Sequence, residues 1–140
     1  MVQLAIRLLG PERVALVVSF LRFGVVGVIG FIVDTATVYG LRAAVGLYWA
    51  GTVAYITAAS TTWLVNRIWT FRGLGSGPAH RQWAIFLATN LVGFMLNRGT
   101  YFALITFSGT AAAYPVLAVA AGALAGMFIN FHFARTVVFR

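Results

Sequence analysis

Asn66-Arg67-Ile68-Trp69-Thr70-Phe71-Arg72 ends the first half of this chain, and Arg135-Thr136-Val137-Val138-Phe139-Arg140 ends the second. Both stretches follow a pair of long apolar runs, and both place a phenylalanine four positions after an arginine. A closing motif that recurs after each pair of runs indicates an internal repeat. We interpret the chain as two repeated helical hairpins.

The composition indicates which solvent surrounds these hairpins. Hydrophobic residues make up 61% of the 140 residues and charged residues 9%, and the mean hydropathy is +0.94. A water-soluble globule of this length needs more polar surface than that. The composition therefore predicts an integral membrane protein.

The charged residues narrow the class of partner. All ten basic residues are arginines, against two acidic residues, so the formal net charge is +8, and there is no cysteine for disulfide or thiolate chemistry. The arginines lie mostly at the ends of apolar runs, whereas a nucleic-acid binder carries its basic residues over a folded polar face. We therefore expect anionic phospholipid as a partner and no nucleic acid.

Four apolar runs are long enough to cross a membrane, because a helix needs about 20 residues to span a hydrocarbon core of about 30 Å. They cover residues 20–42, 47–67, 83–107 and 114–134, with breaks at Gly46, residues 73–78 and Ser108-Gly109. The predicted fold class is an all-α integral membrane protein with four transmembrane helices.

The predicted domain organisation has two parts. Residues 1–19 carry Arg7, Glu12 and Arg13 within apolar sequence, which is typical of an interfacial segment. Residues 20–140 form the transmembrane domain, with repeats at approximately residues 20–72 and 83–140.

The arginines also predict the orientation. Eight of the ten flank the same side of the predicted spans, and only Arg42 lies near the opposite surface. Because cytoplasmic segments carry the excess of arginine and lysine, we expect both termini and the middle loop in the cytoplasm. The eight are Arg7, Arg13, Arg22, Arg67, Arg72, Arg81, Arg135 and Arg140.

Small residues recur along the predicted spans at positions that suit close helix packing. In lipid, small residues let helix backbones approach each other, and this packing holds helices together. We favour this structural role over direct ligand binding. The glycines assigned to packing are Gly27, Gly30, Gly93, Gly122 and Gly126.

Two ionisable residues fall inside predicted spans: Asp34 in the first and Arg98 in the third. Each is costly in hydrocarbon unless it is paired or hydrated, so an intramembrane pair between them is expected. Two readings remain open: the pair holds two helices together, or it recognises substrate.

A further polar group lies near the predicted cytoplasmic boundary. Guanidinium groups bind phosphate through paired hydrogen bonds, although single arginines at this depth are also explained by snorkelling. We predict no metal site, since His132 has no His, Cys or acidic cluster to complete one. We also predict no catalytic residue and no cofactor, because the sequence has no paired carboxylates, no nucleophile with a base and no glycine-rich phosphate loop. The candidate phosphate or head-group residues are Arg22, Asn66, Arg67, Arg98, Asn130 and Arg135.

From residue 20 onward the chain resembles the GtrA-like family of small four-span bacterial membrane proteins. The resemblance rests on three stretches: residues 21–27 (LRFGVVG), residues 66–71 (NRIWTF), and Asn130-Phe131 followed by Arg135 and Val138-Phe139. It implies a role in cell-surface polysaccharide or glycan synthesis in the bacterial cytoplasmic (inner) membrane.

The resemblance implies one of two activities. The first is membrane translocation, or flipping, of a polyprenyl-phosphate-linked sugar. The second is a non-transporting scaffold that recruits or stabilises a polyprenyl-phosphate glycosyltransferase. A small multidrug exporter is a third reading, and the one-sided arginines argue against it. We expect no enzyme activity, and either a homo-oligomer or a complex with the transferase.

Overall fold

The computed structural model describes residues 10–75 and 77–140. Within these ranges it describes the side chains of all residues except Leu47, Tyr48, Gly51, Arg98, Tyr101, Ile105, Pro115, Val116, Ala118 and Val119. Every regular element in this part of the chain is a helix, so the fold class is all-α.

The first half of the chain contains two helices joined at a glycine. Helical structure extends over Pro11–Val65 and is interrupted only at Gly46, where φ is 78° and ψ is 166°. This backbone conformation is open to glycine and strained for other residues. We therefore divide the segment into α1, Pro11–Gly46, and α2, residues 47–65.

Helix α1 begins earlier than the sequence suggested. It starts at Pro11 instead of residue 20, because proline has the φ of a first helical residue and lacks the amide that a first turn leaves unbonded. Residues 11–19, predicted as interfacial, are thus the first turns of α1, and residues 1–9 of that predicted segment lie outside the described part.

Helix α1 is long and apolar enough to cross a membrane. It has 36 residues, and its most apolar stretch has a mean hydropathy of 2.4 and is only 17% buried. Within the described residues it is the one helix that meets both criteria of length and composition. The four spans and the orientation of the termini stay predictions.

The second half of the chain contains three helices: α3, Ala79–Phe107, the short α4, Gly109–Ala113, and α5, Pro115–Phe133. Ser108 ends α3 in an extended conformation, and its side-chain oxygen accepts a hydrogen bond from the Ala111 amide at 3.3 Å. This serine cap begins α4.

The two quoted motifs adopt the same unusual turn. A π-helical turn follows α2 over Asn66–Thr70, and a second follows α5 over Ala134–Val138. Their closing bonds run from the Phe71 amide to the Asn66 carbonyl and from the Phe139 amide to the Ala134 carbonyl, both at 2.8 Å. We call them the first and second π-turns.

The helices divide into two compact units, a first that ends at Leu74 and a second over Gly75–Arg140. In the first unit, Phe71 packs edge to face on Phe23 with ring centroids 6.4 Å apart. In the second, Phe139 packs on Phe86 at 6.2 Å. Each unit is a hairpin whose closing phenylalanine reaches back to its first long helix.

The glycines show where helices approach within each unit. Gly30 packs against the side chain of Thr62, and Gly93 against that of Asn130. A methyl group at Gly122 would lie 2.6 Å from the backbone oxygen of Asn97. Helices α3 and α5 of the second unit therefore contact each other both between backbone and side chain and between backbone and backbone.

The remaining packing glycines differ from one another. A methyl group at Gly126 would lie 3.0 Å from the backbone oxygen of Gly93, whereas one at Gly27 would meet nothing within 4 Å. Gly27 is exposed, so it marks no helix contact within the described residues.

Candidate functional site

The end of the first hairpin gathers arginine and tryptophan side chains. The Arg22 guanidinium lies 5.7 Å from the ring centroid of Trp69, and the Arg67 guanidinium lies 5.7 Å from that of Trp63. Aromatic faces attract cations at this distance. The first π-turn and the start of α1 thus hold two positive charges beside aromatic rings.

Asn66 and Thr70 lie in the same π-turn as Arg67 and Trp69. Asn66 is 1% exposed and Thr70 is 7% exposed. Asn66 Oδ1 and Thr70 Oγ1 are buried and have no hydrogen-bond partner among the residues that the structure describes. Buried polar atoms without a partner cost free energy and therefore call for an explanation.

The end of the second hairpin has a different chemistry. Ala134 and Val138 occupy the positions of Asn66 and Thr70, and both are buried. Arg135 is exposed. The Gln82 amide Nε2 donates a hydrogen bond to the Val138 carbonyl at 3.3 Å.

Gln82 is expected to stabilise the second π-turn. We expect Gln82→Leu to lower the free energy of unfolding by about 1–3 kcal/mol, because the Val138 carbonyl loses a buried donor. The measurement is denaturant unfolding in detergent micelles. Thr136→Val, at an exposed threonine of the same turn, is the control, and equal stability of the two variants would contradict the role of Gln82.

Amide side chains also lie between α3 and α5. Asn130 is half-buried, and its Oδ1 is buried without a hydrogen-bond partner in the described part of the chain. Asn97 lies against Gly122 and Gly126. Asn90 Nδ2 donates to the Phe86 carbonyl at 2.9 Å.

The candidate residues therefore lie in separate places. The first unit brings Arg22, Asn66 and Arg67 to one hairpin end, whereas in the second unit Asn130 lies before the π-turn that contains Arg135. Asp34 is half-buried in α1. The side chain of Arg98 lies outside the described residues, so its pairing with Asp34 stays a prediction.

Two buried residues were missing from the candidates chosen by sequence: Thr70 and Gln82. Thr70 lies inside the motif that marks the repeat, so its position in that motif could have identified it as a candidate. Gln82 lies at the polar start of α3, where nothing in the sequence predicts burial. Among the described residues no group of three or more His, Cys, Asp or Glu side chains is placed to hold a metal ion.

Comparison with known proteins gives one family. A family model described as GtrA/DPMS, transmembrane domain, matches residues 22–139 of the chain. The matched range includes both π-turns and all the candidate residues. No curated protein matches the chain.

Proposed function

Because the chain belongs to the GtrA/DPMS transmembrane-domain family, we propose that it acts on lipid-linked sugars in the bacterial cytoplasmic membrane. Specifically, it moves a polyprenyl-phosphate-linked sugar from one leaflet to the other. The observation that carries this proposal is the arginine at the second position of each π-turn, Arg67 and Arg135.

The ends of the hairpins suit a lipid phosphate. A guanidinium group forms paired hydrogen bonds with phosphate oxygens and is weakly hydrated, so it binds anions at a membrane boundary better than an ammonium group does. Trp69 beside Arg22 is amphipathic, as residues at the membrane interface are. When the phosphate of the lipid is bound here, its prenyl chain stays in hydrocarbon.

Polar side chains along the helices lower the free-energy barrier that a sugar meets when it crosses the hydrocarbon core. Uncovered hydroxyl groups are costly in hydrocarbon. In the second unit, Asn97 and Asn130 offer amide groups in the contact between α3 and α5, and Arg98 lies in the same helix as Asn97. In the first unit, Asp34 offers a carboxylate. These groups replace part of the water that the head group leaves.

The proposed activity is transport without covalent chemistry. A head group that moves between leaflets needs polar groups around its sugar and positive charge beside its phosphate, and these residues supply both. The alternative is a scaffold for a polyprenyl-phosphate glycosyltransferase, either alone or as a homo-oligomer. A scaffold requires the transferase for any effect, whereas a carrier moves substrate in its absence.

The test is transfer of a labelled polyprenyl-phosphate glucose between leaflets of vesicles that contain only this protein. We expect Arg67→Gln combined with Arg135→Gln to slow transfer about tenfold or more, because charge-assisted hydrogen bonds to phosphate are lost. Arg42→Gln, whose guanidinium lies 4.3 Å from the Tyr39 ring centroid, is the matched control. Arg98→Leu tests whether transfer needs the arginine that is predicted to lie within the membrane.

The outcomes separate carrier from scaffold. Undiminished transfer by the double variant would contradict the role of Arg67 and Arg135. Absence of transfer by the folded parent protein, together with its co-purification with a glycosyltransferase, would favour the scaffold.

A further inference from the structure

We propose that Asn66 and Thr70 form a hydroxyl-binding subsite in the first π-turn, and that the second π-turn has no equivalent. The subsite binds a hydroxyl group of the sugar whose phosphate the neighbouring arginines hold. This inference rests on the proposed function and adds to it the residues that distinguish a glycosylated lipid from an unglycosylated one.

Both side chains of the proposed subsite are buried. Asn66 and Thr70 are four positions apart in one helical turn and are 1% and 7% exposed. Residues at this spacing lie on the same face of a helix. Their unpartnered oxygens therefore lie on one face of the turn and are enclosed by the protein.

Thr70 differs from other threonines in the described helices. Threonines elsewhere in the helices donate their hydroxyl to a carbonyl one turn earlier: Thr37 to Val33 at 2.7 Å, and Thr57 to Val53 at 2.8 Å. Such back-bonding is the ordinary solution for a threonine in a helix. In the first π-turn the Asn66 carbonyl accepts the closing bond from the Phe71 amide, and the Thr70 hydroxyl has no hydrogen-bond partner among the described residues.

The hydrogen-bonding capacity of the two atoms identifies the ligand group. Asn66 Oδ1 only accepts, so it requires a donor, whereas Thr70 Oγ1 both donates and accepts. The phosphate of a phosphodiester carries no proton at neutral pH and cannot donate. A hydroxyl can donate to Asn66 and accept from Thr70 at once. The subsite therefore fits a polyol, and the phosphate belongs with Arg22 and Arg67.

The second hairpin shows that the turn does not need these polar groups. Ala134 and Val138 occupy the equivalent positions, and the closing bond has the same length of 2.8 Å. A purely structural requirement would apply to both turns. Asn66 and Thr70 thus add two buried, unpartnered side-chain oxygens to a turn that folds with apolar residues.

The experiment gives the first turn the residues of the second. The purified protein and the variant Asn66→Ala with Thr70→Val are titrated in micelles with polyprenyl-phosphate glucose, polyprenyl phosphate and phosphatidylglycerol. Binding is followed by tryptophan fluorescence, since Trp63 and Trp69 lie beside the arginines of this hairpin. Thr57→Val, whose hydroxyl already has a partner, is the matched control.

We expect the parent and the control to bind the glucose lipid about tenfold more tightly than the double variant does, the effect of one net hydrogen bond. The double variant should lose this affinity for the glucose lipid, with its affinity for polyprenyl phosphate unchanged. Its unfolding midpoint without ligand should equal or exceed that of the parent, because two unpartnered polar groups are gone.

Four results would overturn the subsite. A lower unfolding midpoint of the double variant would show that Asn66 and Thr70 are structural. An unchanged affinity of the double variant for the glucose lipid, with transfer intact, would remove the subsite and leave the proposed function standing. A loss of affinity confined to phosphatidylglycerol would assign the subsite to a phospholipid glycerol. If the parent binds no polyprenyl lipid, both proposals fail.

Discussion

Phe139→Ala is expected to lower the free energy of unfolding by about 3–5 kcal/mol, the range for truncation of a buried aromatic residue. Phe139 is 1% exposed and packs edge to face on Phe86, which is equally buried. The substitution removes this ring contact and leaves a cavity at the end of the second hairpin. Denaturant titration in micelles, followed by circular dichroism, measures the loss.

The control is Phe107→Ala, because Phe107 is 88% exposed at the end of α3. Surface substitutions usually change stability by no more than about 0.5 kcal/mol. Comparable losses in the two variants would mean that the contact between Phe139 and Phe86 does not hold the hairpin closed.

Gly122→Leu is expected to lower the free energy of unfolding by about 3 kcal/mol, the upper part of the range for overpacking. The first carbon of the new side chain would lie 2.6 Å from the Asn97 backbone oxygen, and a backbone atom cannot turn aside as a side chain can. Separation of α3 and α5 should follow, seen as a loss of protection from amide hydrogen exchange in both helices.

Gly99→Leu supplies the matched comparison in the same unit. Gly99 is exposed in α3, and a methyl group there would meet nothing within 4 Å. Leucine has a higher helix propensity than glycine by up to about 1 kcal/mol, so this variant should keep or gain stability. A Gly122 variant as stable as the Gly99 variant would contradict the close contact between α3 and α5.

The helical class and the family could be predicted from sequence because both depend on patterns in the order of residues along the chain. Apolar runs and a motif that returns after the second pair of runs are such patterns. The break at Gly46 followed from the residue type, since glycine tolerates the backbone conformation found there. The sequence did not indicate that residues 11–19 belong to the same helix as the first predicted span, and Pro11 begins that helix.

The environment of the candidate residues was harder to predict. A π-turn differs from an α-helix by the register of its hydrogen bonds, and no apolar periodicity records that register. The burial of Asn66 and Thr70 and the bond from Gln82 to Val138 depend on it. The contacts of Asp34 and Arg98 depend on tertiary placement, and their pairing stays a prediction.

The π-turns have a consequence for the direction in which the closing rings point. Each turn places one more residue in a helical turn than an α-helix does, and one residue corresponds to about 100° of rotation about a helix axis. In a regular α-helix, Phe71 and Phe139 would be turned by about that angle away from Phe23 and Phe86. The extra residue therefore works as an angular adjustment, which aims each ring at the neighbouring helix.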